Sequence, residues 1–184
     1  MPRVPPPYSA EVEHALRKWM PPDVAWEPLV LFRLLQHHPD LASRMRVTGA
    51  GLLAHGELPA LDREIVIARV CARAGCRYEW GVHIAVYADQ VGLTRAQVAA
   101  TVSDGPDAPV WSPRQSALVR AVDELHETSR LTDPTWAALQ TLYTVPQLVE
   151  LLVLAGWYRL IGYVANGLLI EDEQWAELRD WPAR

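Results

Sequence analysis

The chain has 184 residues, of which 50% are hydrophobic and 21% charged, with a formal net charge of −5 at pH 7. This length and composition predict one soluble domain with a sizeable core. The negative charge, and the lack of a dense Lys/Arg cluster, argue against a nucleic-acid partner.

The two cysteines, Cys71 and Cys76, are too few for a disulfide framework. Their number fits a reducing compartment, and we expect the protein in the cytoplasm. The N-terminal sequence MPRVPPPYSA has no apolar segment of the kind that directs secretion.

The first helix is predicted after Ser9, in SAEVEHALRKW, and ends before the prolines at 21–22. The next segment, WEPLVLFRLLQHH, has apolar residues at helical spacing and stops before Pro39. A third helix begins at Pro39–Asp40, with Gly56 as its predicted end signal.

Residues 61–92 are predicted to form two consecutive helices, divided by Gly75 and closed by Gly92. The β-branched stretch EIVIARV could be taken for a strand, but its helical continuation and the flanking signals favour a helix. A further helix follows with Thr94 as its N-cap.

Two more helices have short polar residues as predicted N-caps, Ser112 before Pro113, and Thr132 or Asp133. The most apolar segment, 145–170, comes last and is interrupted by Glu150 and other polar residues. A membrane span needs about 20 mostly apolar residues, so we predict a buried core helix and no membrane partner.

No segment shows the two-residue alternation of a strand, so the fold is predicted to be all-α with eight or nine helices. We find no fixed-period repeat or linker. The chain is therefore predicted to be a single domain over 1–184, with an N-terminal extension (1–25) and a charged C-terminal tail (171–184).

The second of the two consecutive helices carries an unusual polar and aromatic face. One arc of about 100° holds a set of side chains that differs from an ordinary solvated stripe. These are Cys76, Glu79, Trp80, His83, Tyr87 and Gln90. The mixture is typical of a pocket lining.

The preceding helix has one face with Asp62, Arg69 and Arg73, which we predict to be solvated. Glu64 lies on the opposite, buried side. A buried carboxylate is costly without a partner, and His83 on the following helix is the nearest candidate. Such a pair can be functional or purely structural.

The spacing Glu64-x11-Cys76-x2-Glu79-x3-His83 resembles the motif of the carboxymuconolactone decarboxylase family, within the alkylhydroperoxidase D-like superfamily. The peroxidase branch has a second cysteine where this chain has Glu79. The string YEWGVH resembles the form common in decarboxylase-like members. The resemblance extends from about Trp26 to Ile170.

This resemblance implies an alkylhydroperoxidase D-like helical protomer, with its site on the helix pair. It also implies a homo-oligomer, as a trimer, hexamer or dimer. Eight tryptophans in a small chain could supply interface anchors.

For the site, we expect His83 to act as a general acid/base with a pKa near neutral. Glu64 would orient or charge-couple the imidazole, and Glu79 would be a second acid/base or a polar anchor. The expected reaction is cofactor-free proton transfer on a small carboxylated lactone or a related carbonyl compound, with no metal. Trp80, Tyr87 and Asn166 would bind this small-molecule substrate; for Asn166 a structural hydrogen bond is an equal alternative.

Other functions remain open. Cys76 could act in a thiol-dependent hydroperoxide reductase, with Cys71 as the sole possible resolving partner. Glu64, Glu79 and His83 could bind a metal, although their spacing fits neither the common zinc motif nor the di-iron motif. A non-catalytic binding or accessory subunit is a further alternative.

Overall fold

The structure is a computed structural model that describes residues 2–5, 9–20, 26–176 and 181. These residues form nine α-helices and no strand, so the predicted all-α fold is confirmed. The helices are α1 (Ala10–Arg17), α2 (Val30–Leu35), α3 (Pro39–Ala54), α4 (Ala60–Arg73), α5 (Arg77–Val91), α6 (Arg95–Ser103), α7 (Pro113–Thr128), α8 (Asp133–Leu142) and α9 (Val145–Leu168).

Hydroxyl side chains define where many of these helices begin. Each accepts a hydrogen bond from a backbone N–H in the first turn, a cap typically worth about 1 kcal/mol. The caps are Ser9, Thr94, Ser112, Thr132 and Thr144. Each of these five helices therefore starts where a short polar side chain replaces the missing intrahelical acceptor.

A glycine follows the end of each of the two helices α4 and α5. Gly75 has φ of +62° and Gly92 has φ of +74°, and both therefore adopt the left-handed conformation that glycine tolerates best. Gly56 does not end α3, which stops two residues earlier at Ala54. A side chain at Gly56 would instead collide with the carboxylate of Glu150.

The centre of the fold is α4, which contacts α5, α6, α7 and α9. Its apolar residues Ile65, Val66 and Ile67 are fully buried. Burial of each such side chain contributes about 1.5–3 kcal/mol, so α4 is the main element of the core.

The long helix α9 covers this core with one face, on which Leu151, Leu154 and Tyr158 are buried. Its opposite face exposes Val149, Tyr163 and other apolar residues. By length and composition α9 could also cross a bilayer, but 44% of its most apolar window is buried inside the protein. That burial fits the predicted core helix. The predicted homo-oligomer, which the exposed face of α9 could serve, stays a prediction.

The face of α4 that was predicted to be solvated is largely buried. Asp62 is 5% exposed and Arg69 is 4% exposed. Arg69 donates to both carboxylate oxygens of Asp123 at 2.8 Å, and to the carbonyl oxygens of Thr101 and Asp104. The charges at these positions thus join α4 to α6 and α7 rather than facing water.

The C-terminal tail is attached to the N-terminal part of the protein. The hydroxyl of Tyr78 donates to Glu173 Oε1 at 2.6 Å and accepts from the backbone N–H of Leu31 at 3.1 Å. The same Glu173 oxygen accepts from the N–H of Val30 at 2.7 Å. Glu173 therefore satisfies the first turn of α2, which has no side-chain cap of its own.

We expect Arg69→Met to lower the free energy of unfolding by about 3–5 kcal/mol, since it leaves Asp123 and two carbonyl oxygens without their buried partner. Arg44→Met is the matched control, because Arg44 is 75% exposed in its pair with Asp40, and its loss should cost less than about 1 kcal/mol. Urea unfolding of the two variants measures both values. Equal stability losses would contradict the structural role of Arg69.

Candidate active site

A cavity of about 360 Å³ lies beside α5. Its walls come from the end of α1, from α2 and α3, and from the facing sides of α5 and α9. Most of these side chains are apolar. Glu79, His83, Tyr87 and Tyr158 supply polar groups from α5 and α9, so two of the predicted catalytic residues and one predicted binding residue line an open space.

The turn at Gly75 brings α4 against α5 and places Glu64 beside His83. Glu64 Oε2 lies 2.8 Å from His83 Nδ1, and the two residues are 2% and 4% exposed. The other oxygen of Glu64 accepts from Arg63 Nε at 3.1 Å. Arg63 is itself fixed through a bond from Nη1 to the carbonyl oxygen of Leu53. The orientation of His83 is therefore set by a carboxylate that is held on both sides.

Glu79 lies one turn before His83 on α5. Its Oε1 is 3.6 Å from His83 Nε2, which is within ion-pair range but too long for a strong hydrogen bond. Its Oε2 is buried and has no hydrogen-bond partner among the residues that the structure describes. A buried carboxylate oxygen without a partner is costly, and this one belongs to a residue that lines the cavity. A ligand could supply the missing partner.

The charge state of His83 follows from these neighbours. Burial alone would lower the pKa of the imidazole, but the negative charge and hydrogen bond of Glu64, together with Glu79, raise it to about 9. The sequence-based expectation of a near-neutral pKa is therefore wrong, because two carboxylates act on one ring. At neutral pH His83 is an imidazolium that donates from Nδ1 to Glu64 and has Nε2–H available.

Two tyrosines flank the imidazole. Tyr158 on α9 meets it edge-on, with ring centroids 4.9 Å apart, and Tyr87 lies 5.2 Å away. Tyr87 was predicted on this face of α5. Tyr158 was not, since helical periodicity places it on the inner face of α9 without indicating which helix it meets.

The structure places the other two predicted binding residues outside the cavity lining. Trp80 is 1% exposed, and its Nε1 donates to Thr101 Oγ1 at 3.0 Å. Asn166 Nδ2 donates to the carbonyl oxygen of Ala74 at 2.9 Å. Trp80 and Asn166 thus make structural contacts between helices. For Asn166 this is the structural hydrogen bond that was the equal alternative, and for Trp80 the placement does not support substrate binding.

Both cysteines are free and fully buried, and neither lines the cavity. Burial raises the pKa of Cys76 to about 12 and that of Cys71 well above its usual value. Gly162 on α9 lies close to Cys76, since a Cβ added there would be 3.6 Å from that of the cysteine. Both thiols are therefore protonated near neutral pH, which disfavours nucleophilic chemistry.

The arrangement also bears on the metal alternative. Glu64 contacts His83 at Nδ1 and Glu79 approaches it at Nε2, on opposite edges of the ring. The three side chains thus do not converge on one point. Among the described residues, no group of three or more His, Cys, Asp or Glu is placed to hold a metal ion.

The cavity wall formed by the N-terminal part of the chain was missed by the sequence analysis. Trp19, Trp26 and Phe32 line it. The sequence analysis predicted helices in both segments that carry these residues, but assigned neither segment to the site. The signal was present as aromatic residues in a short helical segment, but periodicity cannot show where such a segment packs.

Comparison with known proteins gives a family and a fold. The model of the carboxymuconolactone decarboxylase family matches residues 39–124. No curated protein matches the sequence.

Among solved structures, an uncharacterized peroxidase-related protein with an alkylhydroperoxidase AhpD core, from Ralstonia eutropha JMP134, has a TM-score of 0.82 at 17% identity. The match covers 100% of this chain and 98% of that chain. An uncharacterized peroxidase-related protein from Silicibacter sp. TM1040 has a TM-score of 0.80 at 13% identity, with 94% and 92% covered. At these identities the likeness shows an AhpD-like fold.

We expect the pKa of His83 to make stability depend on pH. The folded value of about 9 exceeds the unfolded value of 6.5. The folded state therefore holds the extra proton, and its stabilising contribution is full below pH 6.5 and lost as pH rises through 9. The imidazole resonances of His83, followed by NMR, should titrate near pH 9.

Glu64→Gln removes the main negative charge beside the ring, so it should shift this midpoint downward. Replacement of the exposed His55 by Asn is the control and should leave the His83 titration in place. A midpoint at or below 6.5 in the unsubstituted protein would contradict the buried ion pair.

Proposed function

We propose that this chain, which belongs to the carboxymuconolactone decarboxylase family, is an acid/base enzyme that transfers a proton at a carbon next to a carbonyl or lactone group. The observation that carries the proposal is the buried array of Glu64, His83 and Glu79 at the wall of an open cavity. It supports chemistry that needs no cofactor.

His83 fits the role of a general acid. The pKa of about 9 keeps the imidazole protonated at neutral pH, and Glu64 occupies Nδ1. Nε2–H is then the donor that a ligand in the cavity can reach. Glu64 acts as a positioning residue, because it holds the ring through Nδ1 and stabilises its charge without lining the cavity.

On a lactone acid or a 3-oxo acid, the bond between the carboxylate and its neighbouring carbon breaks and CO2 leaves. The electron pair moves into the conjugated carbonyl as an enolate. His83 then gives its Nε2 proton to carbon, the carbonyl reforms, and the imidazole regains a proton from water. A carbonyl compound that keeps its carboxylate can use the same groups, with Glu79 taking a proton from carbon and His83 hydrogen-bonding the oxygen.

Thiol-dependent peroxide reduction is a weaker candidate here. The family resemblance and the peroxidase-related structural neighbours favour this reaction. However, this chain has Glu79 at the position where the peroxidase branch has its second cysteine. Cys76 is buried outside the cavity lining, with a pKa raised to about 12. A reactive thiol needs exposure and a stable thiolate, and Cys76 has neither feature.

A non-catalytic binding protein would also have an open cavity. A ligand that donates a hydrogen bond would satisfy Glu79 Oε2 in a binding site as well as in an enzyme. The protonated imidazole beside that carboxylate is what favours catalysis, because together they offer a proton donor and an acceptor to one ligand. Titratable groups with perturbed pKa values are more typical of catalytic sites than of other parts of a protein.

We expect His83→Asn to lower turnover by about 10²–10⁴-fold, the usual contribution of a general acid. The substrates are a panel of lactone acids and 3-oxo acids in D2O. CO2 release reports decarboxylation, and NMR detection of deuterium at the carbon next to the carbonyl reports proton transfer alone. Unchanged turnover in His83→Asn would overturn the proposal.

Cys76→Ala is the matched variant for the thiol alternative. It keeps the buried, apolar character of the position, so proton-transfer activity should stay within a few-fold of the unsubstituted protein. The same two proteins are assayed for reduction of an alkyl hydroperoxide with a dithiol reductant. Peroxide turnover that disappears in Cys76→Ala would favour the thiol alternative.

A further inference from the structure

The cavity has a markedly apolar wall on the side of the N-terminal segment. Trp19, Trp26 and Phe32 come from α1, α2 and the residues beside them, and Met45 and Trp157 add to the wall from α3 and α9. Three of these five precede residue 39, where the family match begins. The N-terminal region, which the family match does not include, therefore supplies most of the large aromatic side chains of this wall.

The charged groups of the lining fall into two sets. Glu79 and His83 are buried at 7% and 4% exposure. Lys18 and Arg46 are exposed and thus belong to the rim. Arg46 Nη2 donates to the carbonyl oxygen of Lys18 at 3.3 Å, and its guanidinium lies 5.6 Å from the Trp19 ring centroid. A cationic rim thus adjoins the aromatic wall.

This distribution determines where a ligand can place a negative charge. A carboxylate beside Glu79 would bring two acceptor-only groups together and would leave Glu79 Oε2 without a donor. A carboxylate in the middle of the cavity would contact apolar walls. At the rim it would face two cations and solvent.

The cavity volume limits the ligand size. At about 30 Å³ for each non-hydrogen atom, the volume that one water molecule occupies in the liquid, 360 Å³ holds about twelve such atoms. Aromatic walls favour a flat or aryl group in that space, through stacked or edge contacts.

We propose that the cavity binds a mainly apolar, aryl-bearing monocarboxylate of about twelve non-hydrogen atoms, with its carboxylate at Lys18 and Arg46 and its far end at Glu79 and His83. The reacting carbonyl at that far end rests on the proposed function, in the form in which the substrate keeps its carboxylate, because a carboxylate lost as CO2 would have to lie beside His83. The position of the ligand's carboxylate and the apolar character of its body are independent of the proposed function. A compact dicarboxylate fits this cavity poorly.

The probes are 4-phenylbutanoate, the neutral 4-phenylbutan-1-ol and the dicarboxylate adipate, titrated into the full chain by calorimetry. We expect 4-phenylbutanoate to bind more tightly than adipate. Arg46→Gln should weaken 4-phenylbutanoate by about three- to fivefold, as for an exposed ion pair, and should leave 4-phenylbutan-1-ol within twofold.

Arg44→Gln is the matched control, because Arg44 lies on the same helix, is exposed and does not line the cavity. It should leave every affinity unchanged. Met45→Trp fills the cavity, so it should abolish binding of both phenyl compounds. If that variant does not fold, the Arg46→Gln comparison still decides the proposal.

Adipate binding as tight as that of 4-phenylbutanoate would overturn the proposed ligand class, and so would equal effects of Arg46→Gln on the acid and the alcohol. A His83→Asn background separates this test from the proposed function: turnover should be lost there, while Arg46→Gln should still weaken 4-phenylbutanoate and spare 4-phenylbutan-1-ol. Binding as predicted with unchanged turnover would overturn the catalytic role alone.

Discussion

The contact between Glu64 and His83 is the constraint on which the site depends. It joins α4, the most buried helix, to α5, and both members of the pair are almost completely buried. Such a pair persists only when further partners satisfy the remaining atoms. Arg63 does so for Glu64, whereas Glu79 has an oxygen left over on the cavity side. The fold thus stabilises a proton donor next to an incompletely satisfied carboxylate.

Two regions of the protein form the candidate site. The helices that match the family supply the ionisable groups, within residues 39–124. The N-terminal segment and α9 supply all three tryptophans that line the cavity facing those groups. The chemistry and the choice of ligand can therefore change independently, because α1 and α2 contribute no ionisable group to the Glu64–His83 contact.

Much of the fold could be predicted from local signals. Hydroxyl caps such as Ser112 and the glycines at 75 and 92 act within one turn of the chain, so their effect is readable in the sequence. The pairing of Glu64 with His83 could also be predicted from the sequence, because two helices joined by a short turn can fold back and pack side by side.

Other features depend on distant partners. Arg69 was expected in water because arginine usually is, but Asp123 on α7 and two carbonyl oxygens make its burial possible. Trp80 shares a face with His83, yet Thr101 holds its indole elsewhere. Only tertiary packing decides such cases. The pKa of His83 likewise required knowledge of both carboxylates at once.

Glu173, in the C-terminal tail, affects the shape of the ligand chamber although it does not line it. Through Val30 and Tyr78 it anchors the helix that carries Leu31 and Phe32 into the chamber lining. Shortening the protein before this glutamate would release that helix from its tether. The breadth of the chamber, and with it the range of molecules admitted, is thus coupled to an acidic residue eleven positions from the carboxyl terminus.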